Sequence, residues 1–81
     1  MNVVLSDAVL DSLADAPPAV RKAFFKQIKF LAKDLHHPSL RAKKYDEAKD
    51  RWQARVNGDW RFYFKIIDDT YHVIAVMPHP K

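Results

Sequence analysis

Cysteine is absent from this chain of 81 residues, so neither a disulfide framework nor a thiolate metal site is open to it. That composition suits a reducing compartment. A single glycine, Gly58, excludes a glycine-rich phosphate-binding loop. No apolar run approaches the roughly 20 residues that cross a bilayer. The opening residues Met1-Asn2-Val3-Val4-Leu5-Ser6-Asp7 hold no basic stretch leading into a long apolar one. The expectation is a cytoplasmic chain with no membrane partner. No His/Asp/Glu set has the spacing of a metal site, and His36 and His37, being adjacent, cannot share one helix face. No metal or other cofactor is expected, and no Ser/His/Asp arrangement stands out. Negative charge is in deficit: fourteen Lys and Arg face ten Asp and Glu, a formal net charge of +4. Anionic partners are therefore favoured, whether RNA, DNA or an acidic protein segment.

What the chain does have is enough greasy surface for a core. It is 48% apolar, with two Trp, three Tyr and five Phe, and residues 1–81 suffice for one domain. Val3-Val4-Leu5 reads as a short strand. Ser6 or Asp7 can cap a helix over about residues 7–15 that buries Val9, Leu10 and Leu13. Pro17 and Pro18 end that helix and suit the first turn of a second. There, Val20, Phe24, Ile28, Leu31 and Leu35 follow the helical period. Lys22, Lys26, Lys29 and Lys33 stripe another face, and the helix is expected to end near His36-His37-Pro38. The polar stretch Ser39 to Asp50 reads as a surface loop with at most a helical turn.

The rest reads as a meander of three strands: Trp52–Val56, Trp60–Ile66 and Tyr71–His79. Parity decides the first hairpin. A three-residue loop at Asn57-Gly58-Asp59 pairs Val56 with Trp60, Ala54 with Phe62 and Trp52 with Phe64. It also sets Arg55 opposite Arg61, Gln53 opposite Tyr63 and Arg51 opposite Lys65. A two-residue loop would mix charge into the core, because a one-residue slip moves every side chain to the other face. One face is thus greasy, and the other carries Arg51, Arg55, Arg61 and Lys65. Two arginines directly opposed repel unless an anion lies between them or a carboxylate such as Asp46, Glu47 or Asp50 pairs with them. The last strand stays open: a three-residue turn at Asp68-Asp69-Thr70 puts His79 on the arginine face, and a two-residue turn puts it on the other.

Three stretches resemble the RelE/ParE superfamily of toxins from type II toxin–antitoxin systems. They are His37-Pro38-Ser39-Leu40-Arg41-Ala42-Lys43-Lys44-Tyr45, Trp52-Gln53-Ala54-Arg55-Val56 with Trp60-Arg61-Phe62-Tyr63-Phe64, and Val73-Ile74-Ala75-Val76-Met77-Pro78-His79. The resemblance spans nearly the whole chain, and the Trp60-Arg61 pair is its most specific part. It implies an α+β fold, a short N-terminal strand and two helices packed on a mainly antiparallel twisted sheet (β-α-α-β-β-β). For the RelE-like branch it implies a metal-independent endoribonuclease that cuts mRNA in the ribosomal A site, with rRNA contacts. For the ParE-like branch it implies a DNA gyrase inhibitor, and a decayed member would be a non-catalytic binding module. The implied partner is a cognate antitoxin and, through that complex, operator DNA. Two positions depart from the family pattern. Gln53 stands where a lysine is frequent, and the sequence ends at Lys81, before the tail in which some members carry a catalytic Tyr.

Under the resemblance Arg61 meets the scissile phosphate, Arg55 is a second basic group, and His79 occupies the catalytic position near the end of the last strand. His79 must then share the face of Arg61, which favours the three-residue turn. Lys43 and Lys44 match a basic patch that binds RNA, and Arg51, Lys65 and Lys81 extend it. The chemistry implied is attack of the RNA 2′-hydroxyl on the adjacent phosphate, leaving a 2′,3′-cyclic phosphate. Such a reaction needs positioning, proton transfer and cations for the developing charge. Imidazole exchanges a proton near neutral pH, and guanidinium binds phosphate in a bidentate way. Parity sends Trp60 to the core and leaves Tyr63 on the arginine face as the base-stacking candidate.

Overall fold

Ser6 makes the first reversal of the chain. In the computed structural model, which describes residues 1–79, strand β1 (Asn2–Leu5) runs straight into helix α1 (Asp7–Asp15). The Ser6 hydroxyl accepts the Val9 amide at 3.2 Å, the cap that its place before an apolar-periodic segment predicts. Val9 and Leu13 are buried, whereas Leu10 faces outward at 49% exposure, contrary to expectation. Spacings of i and i+4 define the buried stripe, and Leu10 lies one position off it.

Helix α2 (Pro18–Lys33) starts on Pro18 and buries Val20, Phe24, Gln27 and Leu31. It stops at Lys33, short of His36-His37-Pro38, because Asp34 turns extended at φ −159° and its carboxylate accepts the His36 amide at 2.9 Å. Such local side-chain bonding competes with the helical ladder. A 3-10 turn (Pro38–Leu40) follows, and its Leu40 is fully buried.

A further difference lies in the polar stretch. Lys43–Asp46 is a strand, β2, paired antiparallel with β3 (Arg51–Arg55) through Lys43–Gln53 and Lys44–Trp52. Its lysines hide it from hydrophobic patterning, and they suit the outermost strand of a sheet, where charge discourages edge-to-edge association. With β4 (Trp60–Ile67) and β5 (Thr70–Pro78) the sheet has five strands in the order β1-β5-β4-β3-β2. The β1–β5 pair is parallel and the others are antiparallel. This is the α+β architecture expected, with one strand more.

The first hairpin has the register that parity requires. Arg55 faces Arg61, Gln53 faces Tyr63, Ala54 faces Phe62, and the Val56 amide reaches the Trp60 carbonyl at 3.0 Å. Phe62 and Phe64 bury completely beneath the helices, and Phe62 meets Phe24 edge-on at 5.5 Å. Trp60 packs half-buried against the same core.

The last hairpin combines both alternatives. Its turn is the two-residue one, since Ile67 pairs with Thr70 and Phe64 with Val73. Beyond Val73 the register slips: Tyr63 pairs with Ala75, and Arg61 with Met77. Ile74 is thus an extra residue, a β-bulge that reverses the parity of everything after it. Val73 and Val76 both bury, and the residues two and four beyond Ala75 return to the arginine face. The Ser6 hydroxyl donates to the Ile74 carbonyl at 3.4 Å, and the Ser6 amide to the Val73 carbonyl at 3.1 Å, so the cap of α1 also holds the bulge.

Candidate functional site

The Asn57-Gly58-Asp59 turn builds the site. The Asn57 side-chain oxygen accepts the amides of Asp59 at 2.8 Å and Trp60 at 2.9 Å, closing the turn from within. Arg61 then folds back over it. One terminal nitrogen, Nη1, donates to the carbonyls of Asn57 at 2.6 Å and Trp60 at 2.9 Å. Arg55 reaches the same place, its Nη2 lying 3.6 Å from where a side chain on Gly58 would begin. On the other side the His79 amide donates to the Asp59 carbonyl at 2.7 Å. One turn therefore gathers both arginines and the histidine.

Between them lies a cleft of about 260 Å³ lined by Arg41, Lys43, Gln53, Arg55, Arg61 and His79, with Ala54. Four of these residues are formally cationic and none is a carboxylate. The salt bridge among the described residues joins Lys44 to Asp50 at 2.8 Å, so Asp46, Glu47 and Asp50 do not neutralise the opposed arginines. No group of three or more His, Asp or Glu that could hold a metal occurs among the described residues. Chemically the cleft offers guanidinium and ammonium groups of the kind that bind phosphate, with an imidazole at its edge.

Not every cation expected on this face belongs to the cleft. Lys43 does. Lys44 pairs with Trp52 and so lies on the opposite face, where its ammonium sits 5.7 Å from the Trp52 ring and binds Asp50. The hydrogen bond and charge of Asp50 raise its pKa above the ordinary lysine value. Alternation along β2 separates two adjacent lysines that the sequence presents as one patch. Arg51 and Tyr63 share the arginine face but line a neighbouring depression with Tyr45, Ile74, Ala75 and Met77. Lys65 lies farther along β4, paired with His72. Lys81 lies outside the described residues.

Two contributors escaped the sequence. Arg41 holds a left-handed backbone (φ 47°, ψ 42°), uncommon for a residue with a long side chain, and this carries the chain from the 3-10 turn to the cleft. Its place in the basic run Arg41-Ala42-Lys43 was the available signal. Gln27 carried none. Buried at 5% exposure inside a helical apolar stripe, it donates from Nε2 to the carbonyls of Ser39 at 2.9 Å and Arg55 at 2.8 Å. Its Oε1 accepts the Ser39 hydroxyl at 3.2 Å. It thereby pins the strand that carries Arg55 to the helical layer.

No family model matches this sequence, and no curated protein matches it either. Solved structures do. The chain is similar to the YoeB/ParE toxin from Agrobacterium tumefaciens, at a TM-score of 0.80 and 13% identity over 99% of this chain and 100% of that one. It is similar to the archaeal RelE of a RelE–RelB complex from Pyrococcus horikoshii OT3, at 0.78 and 20% identity over 95% and 92%. The isolated E. coli RelE toxin aligns at 0.76 and 14% identity over 99% and 85%. The chain has the fold of the RelE and YoeB/ParE toxins.

Proposed function

We propose that this chain is the toxin of a type II toxin–antitoxin system and that its basic cleft cleaves messenger RNA in the ribosomal A site. The supporting observation is the convergence of Arg41, Lys43, Arg55, Arg61 and His79 on one carboxylate-free cleft, in a fold shared with RelE and YoeB toxins. Two opposed arginines without a counter-charge are unfavourable by themselves, and a phosphodiester relieves that repulsion. Arg61 and Arg55 hold the scissile phosphate and carry the negative charge that builds on its oxygens. His79 takes the proton of the 2′-hydroxyl as its oxygen bonds to phosphorus. The bond to the 5′-oxygen breaks, and that oxygen is protonated from solvent at the open cleft. The products are a 2′,3′-cyclic phosphate and a 5′-hydroxyl, and no metal takes part.

The neighbours solved as RelB and YefM complexes support a cognate antitoxin as partner; operator DNA, reached through that complex, is part of the proposal only. Ribosomal RNA contacts, for which the exposed lysines of α2 are suited, and a cytoplasmic location belong to the same reading.

Inducing the chain in cells and mapping transcript 5′ ends tests it. Arg61→Ala is expected to cut cleavage by about 10²–10³-fold, as for loss of one charge-stabilising donor. His79→Ala is expected to cut it by about 10²–10⁴-fold. Unchanged toxicity in both variants would overturn the assignment. Intact transcripts with loss of gyrase supercoiling would instead identify a ParE-like inhibitor, and harmless wild-type expression a binding module.

A further inference from the structure

The second depression on the open sheet face has no part in the phosphate chemistry. It measures about 280 Å³ and is lined by Tyr45, Arg51, Tyr63, Ile74, Ala75 and Met77. The bulge explains why it is apolar. By inserting Ile74 it turns two consecutive side chains, Ile74 and Ala75, toward the same face as Tyr63 and Met77. Tyr45 and Met77 stay exposed, at 58% and 42%, in a chain whose other face already buries its aromatics. An aromatic and aliphatic floor bounded by an arginine, beside a cationic cleft, is what a single-stranded nucleic acid meets on a sheet surface.

Resting on the nuclease reading above, we propose that this depression takes the nucleobase next to the phosphate held in the cleft. Tyr63 stands two residues from Arg61 on one strand face, roughly 7 Å along β4, within reach of one nucleotide. Tyr45 and Tyr63 meet edge-to-face, with centroids 5.2 Å apart and planes at 65°. No base slides between rings that close. It stacks on the outer face of Tyr45, with its edge over Met77 and Ile74. Arg51 makes no ion pair among the described residues. It lines the depression with its Nε buried and, among those residues, without a hydrogen-bond partner, so its charge is left for the next phosphate. Recognition of this kind reads stacking strength and few hydrogen bonds, so purines are preferred over pyrimidines without strict sequence.

The test uses a short single-stranded RNA made uncleavable by a 2′-O-methyl group at each position, followed by fluorescence anisotropy at fixed salt. An abasic site is moved along the strand. At one position it is expected to weaken wild-type binding by roughly 5- to 150-fold, the range of one lost base–aromatic stack. Tyr45→Ala, at an exposed position, loses the same factor with the intact strand and is indifferent to that abasic site. Tyr45→Phe keeps wild-type affinity. Purine at the position binds tighter than pyrimidine in the wild type and equally in Tyr45→Ala. Equal further weakening of Tyr45→Ala by the abasic site would overturn the proposal, as would the absence of any sensitive position or of binding. Because the strand is never cut, failure of the stacking site is separable from failure of the nuclease reading, which rests on transcript cleavage and Arg61→Ala.

Discussion

Residues act here through more than their own contacts. Gln27 is the clearest case, since its one amide satisfies two carbonyls from different segments and also accepts a hydroxyl. Gln27→Leu keeps the volume and strands those groups, at a cost of about 1–3 kcal/mol. A urea midpoint shift without a change in slope would show it. Tyr71 is buried, and burial, with the nearby Asp34 carboxylate, raises its pKa above the ordinary 10.0. The unfolded chain then loses this proton first as pH rises, so the native state holds more protons in that window. The corresponding stability is complete below pH 10 and is lost as pH climbs through the raised value. Tyr71→Phe removes that dependence, so its urea midpoint falls less between pH 8 and pH 11 than that of the wild type.

Among the elements, the decisive one is β5 with its bulge. Deleting Ile74 restores plain alternation from the two-residue turn onward. The segment from Ala75 to His79 then keeps its partners and its faces, with Val76 toward the core and Met77 on the arginine face. His79 stays at the cleft. The expected result is a chain that loses the Ser6 bond to Ile74 and some thermal stability but keeps cleavage, as does Ile74→Ala, which keeps the bulge. Lost cleavage in a folded deletion variant would show that the bulge itself, and not only the facing of His79, is needed. The bulge is also tied to the start of α1 through Ser6, so cap, bulge and the strand leading to His79 form one unit. The edge strand β2 has a comparable double role: alternation sends Lys43 to the cleft and Lys44 to Trp52 and Asp50.

For the whole molecule, the layers divide the labour. Two helices cover one sheet face and supply the core, and the uncovered face is free to hold charge. A net charge of +4 steers anions toward the protein in general, but on the proposed reading it is the four cations of the cleft that set the strength of phosphate binding. If each neutralises one phosphate of a single strand, log affinity falls against log salt with a slope of about −3, at roughly −0.7 per contact. Arg61→Ala should reduce that slope by about 0.7, and Lys44→Ala should leave it unchanged. A titration of uncleavable RNA across salt concentrations measures both, and an equal change from Lys44→Ala would place that lysine on the binding face.

Much of this was readable from residue order because it follows from periodicity. Strict alternation over residues 52–56 and 60–66 dictates the first hairpin register, and with it the facing pair Arg55 and Arg61, since only one loop length keeps charge out of the core. The helical steps of Val20, Phe24 and Leu31 are equally local. Periodicity could not reveal what depends on partners distant in the chain. Ile74 bulges where Ser6 can bind its carbonyl, β2 exists because β3 offers it an edge, and Gln27 belongs in an apolar stripe because Ser39 and Arg55 bring it carbonyls. Alternation along one strand is set by backbone geometry that every residue carries with it. Which face a strand's far end presents after a break in that alternation is set by hydrogen bonds to other segments, and these exist only once the chain has folded.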